Sequence, residues 1–174
     1  MNWTDLLKAE MENSYRAAEG LIKLVDDGEL NWKPSTGNNW MSMGQLLRHI
    51  PDACGMCFKG FVTGDWGFPE MAGEAPPDEM LPPADKLPAV ASVAEALERL
   101  AKDKELALAM IAEAGEEALD NRMVSAPWSP DHPLRLGHQL LGMVGHLEMH
   151  KNQLYYYLKL QGKPVNTFTM FGMG

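Results

Sequence analysis

Residues 133–161 read PLRLGHQLLGMVGHLEMHKNQLYYYLKLQ. Leu136, Leu140, Met143, Leu147, Leu154 and Leu158 recur at three- and four-residue spacing, the mark of one apolar helix face. Pro133 suits a first helical position, and Gly162 and Pro164 supply a stop. A helix from about Pro133 to Gln161 is expected. Gly137, Gly142 and Gly145 weaken it by ~1 kcal/mol each relative to Ala. Close approach of another helix or loop is expected at all three.

Three more helices are expected upstream. The first runs from about Thr4 to Asp27, with Leu7, Met11, Ala18, Leu21, Ile22 and Val25 on one face and Gly28 as its end. The second begins at Ser42. Ser42 and Gln45 form a capping box, Met41 and Leu46 a hydrophobic staple, and Gly64 a stop. Its apolar stripe is Leu46, Ile50, Ala53, Cys57 and Phe61. Pro51 lacks the N–H that would reach the carbonyl of Leu47, so a kink is expected there. The third starts at Ser92, with Glu95 closing a second capping box. It carries Val93, Leu97, Leu100, Leu108 and Ile111 and fades between Gly115 and Asp120. Asp65 to Pro88, rich in Pro, Gly and acids, reads as one long connection. Residues 165–174 are given no structure. No convincing strand and no internal repeat is visible.

Four amphipathic helices without strands point to an all-α four-helix bundle in a single domain spanning 1–174. None of the loops is very short, which favours a topology with crossover connections over minimal up-down-up-down. The 174 residues can bury a core without disulfides or metal staples, and 45% hydrophobic with 22% charged residues is a globular composition. A net charge of −9 without a basic stripe argues against nucleic acid as partner. No apolar run is long enough for a bilayer, and Met1 to Asp5 show neither a basic nor an apolar leader region. Two cysteines form no disulfide framework, so a reducing cytoplasm is the expected compartment.

The histidines are the candidate chemistry. His146 and His150 stand i, i+4, one helical turn apart on one face. His146 is three residues after Met143, and His150 lies three after Leu147 and four before Leu154. His49 lies three after Leu46 and four before Ala53. All three fall within apolar stripes and are expected to face the bundle interior. Buried imidazoles need partners, and three on two packed helices satisfy one another through a shared metal ion. Such a pair also arises by chance, and a lone core histidine is more often simply hydrogen-bonded in place. The zincin pattern is absent: Leu147, not an acid, follows His146. Glu148 is expected to point away as a solvated acid, His132 to be a cap or surface residue at the head of the last helix, and His138 to lie ~12 Å from His146 along the axis. Gln153, one turn after His150, is a candidate to orient a ligand, and Tyr157 a candidate phenol facing the pocket. Trp40 is expected to wall the pocket or to belong to the core. Cys54 and Cys57, mid-helix in a chain without strands, read as small buried residues rather than a redox pair.

Trp40-Met-Ser-Met-Gly-Gln-Leu-Leu-Arg-His49 resembles the Trp-x-Ser-x-x-x-Leu-x-x-His segment of the DinB-like (DinB/YfiT) superfamily. His146-Leu-Glu-Met-His150-Lys-Asn-Gln153-Leu154, followed by Gly162 and Pro164, resembles its second segment, His-x-x-x-His-x-x-Gln-Leu. The resemblance implies an up-up-down-down bundle, often a homodimer, and a three-histidine site for nickel, zinc or a similar divalent ion. Carried over, the ligands are His49, His146 and His150. Pro51 just after the first ligand and Asn152, where many members have Gly, depart from the pattern.

Three protein ligands leave a coordination position open, the arrangement of catalytic rather than structural sites. Thiol transfer and metal-assisted hydrolysis are the two reaction classes this allows. The resemblance favours the first, a metal-dependent S-transferase acting on a small molecule with a low-molecular-weight thiol. A non-catalytic metal-binding dimer or stress-related interaction module is the competing expectation, and a metal-free scaffold a third.

Overall fold

The computed structural model describes residues 2–67 and 83–173. The middle of the expected long connection, 68–82, lies outside the described residues. Helix α1 spans Trp3–Ile22 and is capped by Asn2, whose side chain accepts from the Asp5 amide at 2.8 Å. Its buried face holds Leu7, Met11, Tyr15, Ala18, Leu21 and Ile22. It stops short of the expected Asp27 because Asp26 and Glu29 form their own capping box around a single 3₁₀ turn.

Helix α2 is Met43–His49 and helix α3 is Gly55–Thr63. The capping box expected at Ser42 is present: Ser42 N–H donates to Gln45 Oε1 at 2.7 Å and Gln45 N–H to Ser42 Oγ at 3.3 Å. The kink expected at Pro51 is instead a full break. A 3₁₀ turn occupies Ile50–Asp52, and Cys54 (φ −125°, ψ −71°) lies outside both helices. Pro51 has no amide to continue the α-ladder. A second cause comes from α4, Val93–Asn121. Asp103 Oδ2 and Oδ1 accept from the amides of Gly55 and Met56 at 2.8 and 2.9 Å, and Tyr15 Oη donates to Oδ2 at 2.6 Å. A carboxylate of one helix therefore caps the N-terminus of another. Residue 55 must be glycine here: a Cβ would lie 2.2 Å from the Asp103 carbonyl oxygen.

Helix α4 passes the expected fade point. Gly115 interrupts it (φ 68°, ψ 163°), and the chain turns helical again to Asn121. That last turn carries Glu116, whose carboxylate accepts from the amides of Trp3 and Thr4 at 2.7 and 2.9 Å. The buried face of α4 is Ala96, Leu100, Asp103, Ala107, Met110 and Ile111, whereas Leu108 is exposed.

Two strands, not expected from the sequence, follow. β1 (Met123–Ala126) and β2 (Ser129–Arg135) pair antiparallel, with Val124 opposite Leu134. Pro130 and Pro133 fit in a two-stranded ribbon because each strand has a free edge. The last long helix, α5, consequently begins at Leu136 rather than Pro133 and ends at Leu160. Of its three glycines only Gly137 meets a close neighbour, the Trp3 ring; nothing lies within 4 Å of where a Cβ would stand at Gly142 or Gly145. A short α6 (Thr167–Met170), capped by Asn166, occupies the tail that was given no structure.

The all-α bundle expected from the sequence is what forms, with a different order of directions. Trp3 meets Glu116 and Tyr15 meets Asp103, so α1 and α4 are antiparallel. Gly55 meets Asp103 and Phe61 meets Arg122, so α3 runs parallel to α4. His49 meets His150 and Met41 meets Tyr157, so α2 opposes α5. The order is up-down-down-up, not up-up-down-down. The parallel helices α3 and α4 put the end of one and the start of the other at opposite ends of the bundle, while the β-ribbon turns the chain from α4 into antiparallel α5. Among the described residues, no helix is long and apolar enough to cross a membrane.

Candidate metal centre

Antiparallel packing of α2 on α5 sets the last residue of α2 beside the middle of α5. His49 Nε2 lies 3.1 Å from His150 Nε2, which lies 2.9 Å from His146 Nε2. Among the described residues, this is the group of three possible metal-ligating side chains that converges on one point. Two donors ~2.1 Å from one ion and ~90° apart stand ~3.0 Å from each other, so the spacing suits cis ligands on a single ion. The three histidines can hold one metal ion. Each is half-buried rather than interior. The true core on α5 is Leu140, Leu147, Leu154 and Leu158, and the two rings sit on its flank.

Burial holds all three imidazoles below their usual range. For His49 it is reinforced by His146 and Arg48. For His146 it is opposed by a hydrogen bond from the ring to the Ala53 carbonyl. His150 is lowered to about 4, by burial first and then by His49 and His146. At neutral pH the rings are uncharged and their lone pairs are available. Two neighbours orient them. Ala53, in the break after Pro51, supplies a carbonyl to His146. Gln153 Oε1 lies 3.2 Å from His150 Nδ1, its Nε2 donates to Tyr157 Oη at 3.2 Å, and Tyr157 Oη donates to the Met41 carbonyl at 2.9 Å.

Gln153 is thus where a ligand-orienting residue was expected. Tyr157 does not face the pocket: it is buried, 1% exposed, between Trp32 and Trp40, with ring centroids 5.3 and 6.1 Å away. Trp40 is 39% exposed and leans on Tyr157, its Nε1 donating to the Thr36 carbonyl at 2.6 Å. Glu148 points away from the rings as expected, but it is paired at 2.7 Å with Lys151, which is 2% exposed and also donates to the Met170 carbonyl. His132 is the surface residue expected, exposed against Ser129, but it lies in β2 and heads no helix, and His138 is exposed, edge-on to Trp3. Cys54 is fully buried and Cys57 half-buried. Burial raises both thiols, Cys57 to about 12, and neither joins the histidine group.

Sequence reasoning missed Asp103 and the two carbonyls. Asp103 carried a signal, since it stands three residues after Leu100 and four before Ala107 on a buried face. The Met41 and Ala53 carbonyls carried none, because any residue offers one.

A family model for the DinB superfamily matches residues 10–154, a span that contains all three histidines and Gln153. The chain belongs to the DinB superfamily. Comparison with curated proteins and with solved structures gave no match. Within this DinB-superfamily bundle, the two segments that carry the resemblance meet at the histidine group.

Proposed function

We propose that this DinB-superfamily protein is a metal-dependent enzyme that transfers a low-molecular-weight thiol to a small-molecule substrate. Its ligands are His49, His146 and His150, and its ion is nickel or zinc. The observation that carries the reading is the convergence of three neutral Nε2 atoms at 2.9 and 3.1 Å. With the ring protons on Nδ1, three Nε2 lone pairs face one point and a cation among them removes their repulsion, while depressed basicity makes a proton a poor candidate for that place at neutral pH.

A divalent ion bound by three protein ligands supplies Lewis acidity and lowers the pKa of a thiol or water at its open position. The chain's own residues do the rest. Gln153 and the Ala53 carbonyl hold the rings of His150 and His146 in place. Half-burial keeps the rings unprotonated while leaving an approach from solvent. A homodimer in a reducing cytoplasm completes the reading.

Elemental analysis of untagged protein, purified without a nickel column, tests the site. About one nickel or zinc per chain is expected, lost in His49→Ala, His146→Ala and His150→Ala. A panel of thiols and electrophiles then tests the chemistry. Turnover that needs both metal and thiol is expected. A filled site without turnover would leave a non-catalytic metal-binding protein, turnover without thiol a hydrolase, and no metal after reconstitution would refute the reading.

A further inference from the structure

We propose that Tyr157 is a positioning residue that fixes the tautomer of His150, acting through Gln153 and anchored on the backbone of Met41. The direction of every hydrogen bond in this relay follows from its far end. The Met41 carbonyl can only accept, and Tyr157 Oη lies 2.9 Å from it, so the phenol's single proton is committed there. Gln153 lies 3.2 Å from the same oxygen. With the phenolic proton spent, the amide must donate, which turns Nε2 toward Tyr157 and Oε1 toward His150. An amide oxygen only accepts, so His150 Nδ1, 3.2 Å away, carries the ring proton. Nε2 is left bare, facing His49 at 3.1 Å and His146 at 2.9 Å.

Gln153 alone cannot enforce this. Rotated by 180°, its side chain presents N–H to Nδ1 and drives the proton onto Nε2, where it blocks the point on which the three rings converge. Tyr157 removes that choice. The phenol is held in turn by edge contacts to Trp32 and Trp40 and by burial. The Met41 carbonyl directly precedes Ser42, the cap of α2, so the relay ties the start of the helix bearing His49 to the orientation of His150 on α5. The tautomer follows from hydrogen bonding alone; its consequence for metal binding rests on the reading above.

The test is long-range ¹⁵N–¹H NMR of the histidine rings in the metal-free full-length chain at pH 8, beside zinc affinity by competition with a chelator. Wild type is expected to show His150 protonated at Nδ1. Tyr157→Phe keeps the ring and its packing and is expected to give mixed tautomers and a loss of zinc affinity of about 10–100-fold. Gln153→Glu in the Tyr157→Phe background restores an obligate acceptor at Nδ1. It is expected to return the Nδ1–H tautomer and most of the affinity, which a merely structural role for Tyr157 would not allow. If Tyr157→Phe fails to fold, Gln153→Met reads the same tautomer shift. An Nε2–H signal in wild type, or an unchanged tautomer in the variants, overturns the proposal. The expected tautomers in a protein that binds no zinc would sink the metal reading and leave the relay standing.

Discussion

Replacing Asp103 should damage both the fold and the histidine site. The carboxylate is 5% exposed and takes three hydrogen bonds, from Tyr15 Oη and the amides of Gly55 and Met56. Asp103→Ala orphans all three donors at ~1–3 kcal/mol each. Against that stands the cost of keeping a carboxyl there. Burial raises its pKa to about 6 despite the three donors. Relative to an unfolded value near 3.9, that shift is worth about 3 kcal/mol of penalty on the ionised form. The net expectation is a loss of ~0–6 kcal/mol, centred near ~3 kcal/mol, in urea unfolding at pH 7. The pH dependence has a definite sign. A folded-state pKa raised above the unfolded one means that the native protein holds more protons between about pH 4 and pH 6. The contribution of Asp103 is therefore fully present below pH ~4 and declines as pH rises to ~6. Asp103→Asn cannot titrate, so the difference between wild type and this variant should shrink from pH 4 to pH 6 and then level off. A gain in stability for Asp103→Ala, or a wild-type-minus-Asn difference that is flat from pH 4 to 7, would refute this account of the cap. Because the cap fixes where α3 restarts, and so where the Ala53 carbonyl stands, Asp103→Ala should also weaken metal binding, measurable in the same chelator competition.

Three further outcomes are expected. Gly137→Ala places a Cβ 2.4 Å from the Trp3 ring and should cost ~1–3 kcal/mol in thermal or urea unfolding, whereas Gly142→Ala and Gly145→Ala, with open space around them, should each gain up to ~1 kcal/mol. The depressed pKa values of the three histidines mean that the native metal-free protein binds fewer protons than the unfolded chain, so its stability should fall as pH drops from ~6.5 toward 4; His150→Gln should flatten part of that slope in acid titrations followed by circular dichroism. Lys151→Met removes the pair with Glu148 and the bond to the Met170 carbonyl, and should raise amide exchange across Thr167–Met170 while leaving α1 to α5 protected.

What the sequence reveals and what it hides divide along a physical line. Periodicity placed α1, α4 and α5 to within a few residues, and capping chemistry at Ser42 and Ser92 marked two helix starts, because these are local rules. The three histidines were legible for the same reason, since spacing and stripe position are properties of single helices. Their depth was not. Whether a stripe residue lies at the centre or on the flank depends on how the partner helix is rotated, and here the rings end half-buried. The ribbon at 123–135 was hidden by its prolines, which read as a helix start until the pairing of Val124 with Leu134 is seen. Helix directions were hidden too, since polarity is settled by contacts such as Gly55 with Asp103, 48 residues apart.

The same break that defeated the expected continuous helix is what equips the site. Inside an α-helix each carbonyl is already committed to an amide four residues on, so regular helices have few main-chain acceptors to offer a side chain. Met41 precedes the α2 cap, and Ala53 follows the 3₁₀ turn at Pro51; each lies where the ladder is interrupted. These two carbonyls take the protons of Tyr157 and of the His146 ring. An unbroken helix from Ser42 to Gly64 would keep His49 but withdraw the Ala53 acceptor. Pro51 breaks the ladder, Asp103 stabilises the restart, and the freed backbone aims an imidazole on α5. A departure from the expected motif, a proline two residues after a ligand, thus supports the orientation of His146 rather than disturbing that of His49.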